Sequence, residues 1–305
     1  MTNSTETPVI DPFEAALGVR DVKGRSPWKD AWQRLLKHRA TVYSAGIMAF
    51  IILMVLFGPM LISWESDFTD WDYTSSPPSL ASGHWGGTDA VGRDILVRTL
   101  AGGRISLLVG LVATIVSLVI GVGYGAIAGY FGGSIDRVMM RVVDIIYAFP
   151  FLFFVILLMV VFGRHIVLIF VAIGAVNWLD MARIVRGQTL SLKNMDFIEA
   201  ARASGVTPWG IIRRHIIPNL MGVVIVYATL TIPQVILVES FLSFLGFGVQ
   251  EPMSSWGALI SDGAQDMESA PWTLIVPAVF LTITLYCFNY IGDGLRDALD
   301  PKDRL

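Results

Sequence analysis

Long uncharged apolar runs, rather than alternation or narrow helical stripes, set the pattern of this chain. Thr41–Ile62 and Ile105–Ala128 carry no charge, and Ile145–Phe162 is uncharged and rich in Phe and Ile. Ile166–Leu179 is shorter and is expected to extend to Val185, with Asp180 and Arg183 near its end. Asn219–Val238 continues past Glu239 to Leu245, and Pro271–Gly292 closes the series. A helix needs about 20 apolar residues to cross the hydrocarbon core of a bilayer, so the pattern predicts an all-α integral membrane protein with six transmembrane helices. A membrane β-barrel is excluded, since its strands would alternate in hydrophobicity. Pro150, Pro233 and Pro277 fall inside the predicted spans, where static kinks are expected. Ahead of the first span, Trp28, Trp32, Leu35, Leu36 and Arg39 follow helical spacing, with bases around the aromatics, as in a helix lying in the membrane interface.

Composition supports this picture. Of 305 residues, 54% are apolar and 15% charged, against about 25% charged in an ordinary soluble domain. The mean hydropathy is +0.64. The net charge of -3 gives no sign of a nucleic-acid partner. The single cysteine, Cys287, rules out an internal disulfide, and the four histidines are scattered. The first apolar run begins near Val42 behind a polar, basic stretch, so it is expected to be a permanent span and not a cleaved leader.

Lysine and arginine give the expected orientation. Eighteen lie in residues 1–40, between spans two and three, between Arg183 and Arg214, and in the tail. The opposite side holds four: Arg93, Arg98, Arg104 and Arg164. Basic loops stay in the cytoplasm, so both termini are expected there. The division is then a cytoplasmic tail with the interfacial helix (1–40), a first transmembrane helix (41–62) and a periplasmic segment (63–104). A transmembrane core (105–293) carries a cytoplasmic loop (186–218), and a cytoplasmic tail (294–305) follows.

Within span two, Ala113, Ser117, Gly121, Gly125 and Gly129 recur every fourth residue, a ridge that lets helix backbones approach closely in lipid. The chain has no Gly-Lys dipeptide, hence no Walker A loop, and no GxSxG nucleophile elbow. Intramembrane ionisable groups are sparse. Glu239 interrupts a span well away from its cytoplasmic end, as a group lining a pathway or as part of the packing near the outer surface. A transporter with neither an ion-coupling chain nor its own ATP site must draw energy from a partner.

The longest cytoplasmic loop reads Asp196-Phe-Ile-Glu199-Ala200-Ala201-Arg-Ala-Ser-Gly205-Val-Thr207-Pro208, then runs through Arg213-Arg214-His215-Ile-Ile-Pro218. Asp196 and Glu199 suggest an acidic capping box at a helix start. Gly205 suits a left-handed helix end, and Thr207-Pro208 a cap and first turn. Two short helices at an angle are expected, either an ordinary connecting hairpin or a docking device.

Glu199-Ala200-Ala201, Gly205 and Pro218, at these spacings, resemble the EAA loop of ABC importer permeases; His215 and Ile217 depart from the usual Ile and Leu in the manner of peptide importers. Gly87-Thr-Asp89-Ala-Val-Gly92-Arg93-Asp94, Gly103-Arg104-Ile-Ser106, Leu242-Ser-Phe-Leu-Gly246, Trp256-Gly257 and Gly292-Asp-Gly-Leu-Arg296 are similar to the C-type subunits of dipeptide and oligopeptide permeases. The resemblance runs from about Trp28 onward. It implies a type I ABC importer architecture in the bacterial cytoplasmic (inner) membrane and no catalysis in this chain, with ATP and Mg on two separate cytoplasmic ATPase subunits. It further implies a homologous permease partner, an extracytoplasmic peptide-binding protein and surrounding lipid. Glu199, Ala200 and Ala201 would dock on an ATPase, Gly205 would make the bend, and Pro218 would mark the return to the membrane.

In Gly248-Val-Gln250-Glu251-Pro252, the Glu-Pro position differs from the proline pair of dipeptide-type relatives, which favours oligopeptides over dipeptides or nickel complexes. The loop from Gly246 to Pro271 has no Lys or Arg but carries Glu251, Asp262, Asp266 and Glu268. Glu251 and Asp262 are therefore candidate contacts for a cationic partner surface or a peptide amine, against the alternative of a solvated acidic loop. Two other classes stay open: a membrane scaffold or sensor that moves no solute, and a secondary transporter.

Overall fold

The computed structural model describes residues 27–62, 64–163 and 166–299, and nearly all of them are helical. Residues 1–26 and 300–305 of the predicted tails lie outside the described residues. Helix α1 (Pro27–Lys37) precedes α2 (Arg39–Leu61), α3 (Ile95–Phe131), α4 (Gly133–Tyr147), α5 (Phe151–Phe162) and α6 (Ile166–Leu192). Two short helices follow, α7 (Asp196–Ala203) and α8 (Pro208–Ile211), then a π-helical turn (Ile212–Ile216). The chain ends in α9 (Ile217–Phe244), α10 (Trp256–Gln265) and α11 (Trp272–Leu299).

Among the described residues, five helices are long and apolar enough to cross a membrane: α2, α3, α6, the run Pro208–Phe244 ending in α9, and α11. A sixth crossing is available only as the pair α4 and α5, bent by 76°. The run Ile145–Phe162 is thus not one helix, as the sequence predicted. Pro150 biases Phe149 away from helical geometry, and α5 restarts with Pro150 as its N-cap. Pro150 sits at a break, whereas Pro233 and Pro277 lie inside helices.

The expected small-residue ridge is the seam of the fold. Ala113, Ser117, Gly121, Gly125 and Gly129 are all buried, and α3 packs along α6 there. The approach is closest at Gly125, where a Cβ would collide with the Ala182 carbonyl oxygen and lie 2.8 Å from Val185 Cβ. Only glycine leaves room for two backbones this near each other.

Helix α3 has 37 residues, about 55 Å of helix against a hydrocarbon core of about 30 Å. Its first turns therefore extend past the predicted span, and Asp94 caps them by accepting from Val97 N at 2.9 Å. Arg104 serves α2. Pro59 of α2 has no N–H for the Val55 carbonyl one turn back, and Arg104 Nε donates to that oxygen at 2.8 Å while its Nη2 donates to Leu56 O at 2.7 Å. The segment Gly246–Pro271, expected to be a loop, contains α10, whose N-cap Ser255 accepts from Ala258 N and whose Trp256 is fully buried.

Candidate functional site: a hairpin at one end and a charged cleft at the other

The EAA-like segment folds as two short helices joined by a tight turn. Gly205 has φ +79°. Val206 N donates to Ala201 O, and Gly205 N to Arg202 O, both at 3.1 Å. These two bonds form a Schellman motif, which glycine at the left-handed position allows. Thr207 then caps α8 by accepting from Gly210 N at 3.2 Å, with Pro208 in the first turn, as the sequence predicted. The acidic capping box does not form: the N-cap is Met195, without a side-chain bond, because the helix begins one residue earlier than Asp196 would require.

One face of the hairpin is anchored. Ile198, Ala201, Ile211, Ile212 and Ile216 are buried with Ala126, Met181 and Val185 of α3 and α6. Arg202 lies 5.8 Å from the Tyr130 ring, and Trp209 packs edge-on to Phe131. Glu199 and Ala200 are exposed, and Trp209 is 62% exposed. Ala201, grouped with the docking residues from sequence, turns inward instead. At helical spacing it shares the core side with Ile198, not the side of Glu199 and Ala200.

Pro218 lies in the first turn of α9, within the continuous helical run Pro208–Phe244. Proline cannot donate to a carbonyl four residues back, and its ring crowds that carbonyl. The π turn just ahead widens the helix, with Ile217 N–H bonding to Ile212 O five residues back. Below the hairpin, Arg186 grips Asp136 through Nε and Nη2 at 2.5 and 2.6 Å, and Arg183 reaches Asp144 at 2.9 Å. Both arginines, counted from sequence among the cytoplasmic charges, belong to α6 and tie α4 to it.

At the opposite end, Asp89 Oδ2 accepts from Arg93 Nε and Arg98 Nη1, both at 2.7 Å. Arg93 Nη1 continues to Glu251 Oε1 at 2.8 Å. The hydrogen bond and charge of Arg93 hold the Glu251 carboxyl below its ordinary range. Asp262 lines the same cleft, and burial pushes its carboxyl up. The 246–271 segment is therefore not a free acidic surface, since basic residues from the distant segment 93–98 neutralise part of it. Sequence reading missed this pairing because the partners are 158 residues apart.

Glu239, a possible pathway group from sequence, is fully buried. Ser106 Oγ donates to it at 3.1 Å and Ser243 Oγ at 2.7 Å, while Ser255 Oγ lies 3.2 Å from Ser243 Oγ. Trp256 N donates to Ser106 Oγ at 3.2 Å. This polar knot joins α3, α9 and the start of α10, so in this structure Glu239 belongs to the packing. Among the described residues no group of three or more His, Cys, Asp or Glu side chains is placed to hold a metal ion.

Apolar crossings, a small-residue seam and a part-exposed hairpin define a multi-pass membrane protein. The solved structure described as "Inward facing conformations of the MetNI methionine ABC transporter" has the same fold, with a TM-score of 0.52 and 21% identity over 67% of this chain and 96% of that one. Residues 121–304 match the family "Binding-protein-dependent transport system inner membrane component", and residues 26–78 match "N-terminal TM domain of oligopeptide transport permease C". The chain belongs to this family of inner-membrane ABC importer permeases, as the EAA-like spacing implied. It is 60% identical to the "Oligopeptide transport system permease protein OppC" of Escherichia coli (strain K12), over 100% of both chains. It is 46% identical to the "Dipeptide transport system permease protein DppC" of Bacillus subtilis (strain 168), over 90% of this chain and 86% of that one.

Proposed function

We propose that this chain is the permease subunit through which oligopeptides enter the cell. It pairs with a homologous permease, two cytoplasmic ATPases and an extracytoplasmic binding protein. The observation that carries the coupling role is the hairpin, with one face fixed in the core and Glu199 and Ala200 left exposed. A rigidly rooted projection transmits force from a partner that contacts its two positions differently. ATP and Mg sit on the ATPases, whose binding and hydrolysis cycle switches the side on which the pathway opens. The substrate assignment rests on the full-length likeness to an oligopeptide permease.

Both termini and the hairpin face the cytoplasm in this reading, following the basic residues. Cysteines at Ser134 or Asn194 should then be shielded from an impermeant external reagent, while one at Ser269 should label. At the external end, Glu251 and Asp262 are contacts for the binding protein or the arriving peptide, acting beside Arg93 and not as free carboxylates. A deletion strain should lose growth on tri- to pentapeptides and resist toxic oligopeptides. If it lost only dipeptide or nickel uptake, the substrate assignment would be wrong and the permease assignment would stand.

A further inference from the structure

Midway along α6 and α9 lies a cleft of about 310 Å³, lined by polar side chains together with Met181, Ile184 and Leu230. Asn177 and Asp180 face it from α6, and Tyr227, Thr231 and Gln234 from α9. The spacing on each helix, three or four residues per step, places these side chains on a single face. Asn177 is about 16 Å of helix past Ile166, and Gln234 about 15 Å before Phe244, so both lie near half the thickness of the hydrocarbon core. Asp180 and Gln234 are exposed, and among the described residues their side chains make no hydrogen bond or ion pair. Thr231 and Asn177 bond only to carbonyls of their own helices.

An unpaired carboxylate and a free amide at this depth are costly against lipid. Their counterpart is water or a polar solute. The cleft also continues along the same helices: Tyr227 and Leu230 line a second cleft with Gln188, toward the hairpin end of α6. Glu239 offers no such route, being enclosed by serines.

Resting on the peptide-import reading above, we infer that this face lines the path of the peptide. Asp180 meets the peptide's α-ammonium group, and Gln234 and Tyr227 meet its main-chain amides. One carboxylate and several neutral hydrogen-bonding groups suit a cargo whose ammonium end and backbone are constant while its side chains vary.

The test uses the complete transporter in proteoliposomes, with its pairing permease, ATPases and binding protein, and trialanine as the probe. Asp180→Asn should lower ATP-driven uptake about tenfold, the equivalent of one charge-assisted contact of about 1.4 kcal/mol. Thr231→Trp should block uptake, and both variants should keep ATP hydrolysis stimulated by the binding protein. In a Cys287→Ser background, Gln234→Cys should react with a water-soluble thiol reagent. Wild-type uptake in both variants together with an unreactive cysteine overturns the inference, because the face is then sealed by the second permease or by lipid. If the wild type itself imports no trialanine, the import reading fails; a reactive Gln234→Cys then still supports a water-lined path, and an unreactive one overturns it.

Discussion

The cleft at one end of this permease and the outer face of the hairpin at the other carry their charges in opposite ways. At the cleft end, Arg98 is almost fully buried and shares Asp89 with Arg93, while Arg93 reaches across to Glu251. Beneath them the Glu239 side chain is enclosed by Ser106 and Ser243. At the hairpin end, Glu199 and Ala200 face outward, and Ala201 and Ile198 hold the inner side. Charges committed to one another fix the shape of an end. Charges left uncommitted on a rigid base are available to another protein. The contrast separates stability from coupling, and each variant below should disturb one and spare the other.

The largest effect is expected at the cleft end. Arg98→Ala leaves buried Asp89 with Arg93 as its one charged partner and should cost about 3 kcal/mol of stability, seen as a fall in thermal midpoint or in yield of folded protein. Glu199→Arg at the hairpin should change stability by less than about 0.5 kcal/mol, as exposed substitutions do, yet abolish peptide uptake and weaken ATPase association. Gly205→Val should do the same at somewhat greater cost, about 1–2 kcal/mol, because valine resists a positive φ. Comparable loss of stability from Arg98→Ala and Glu199→Arg would erase the distinction between the ends.

Smaller effects should appear with pH. Arg93 lowers the Glu251 pKa below the ordinary 4.5, so that pair contributes fully above 4.5 and is lost as pH falls through the lower folded value. Asp262 runs the other way: burial raises its pKa above 3.8, so its contribution is full below 3.8 and is lost as pH rises through the raised value. Asp262→Asn should therefore slightly raise the thermal midpoint at neutral pH, and Glu251→Gln should slightly lower it. The sizes are small because both carboxylates keep solvent access.

The spans were legible because lipid demands long apolar runs, and the α3–α6 seam because small residues recur every fourth position along it. Gly205, Thr207 and Pro208 announced their turn by local chemistry alone. Four features lay beyond such reading. A kink at Pro150 was expected, but not a 76° break inside an unbroken apolar run. The inward turn of Ala201 depends on where α7 sits on α3 and α6. The Arg93–Glu251 pair and the polar face of Asp180 and Gln234 join segments that are distant in sequence. Hydropathy reports burial from water, but not which polar groups meet.

The most direct test of the account is ATP-dependent uptake of a labelled tripeptide into proteoliposomes holding the complete transporter, with wild-type permease compared with Glu199→Arg at equal assembled amounts of permease. Accumulation is expected in the wild type only with ATP, and at least about a hundredfold less in the variant, the equivalent of about 2.7 kcal/mol of lost coupling. Equal accumulation in the two would contradict the claim that the exposed hairpin is where ATP-driven force enters this chain.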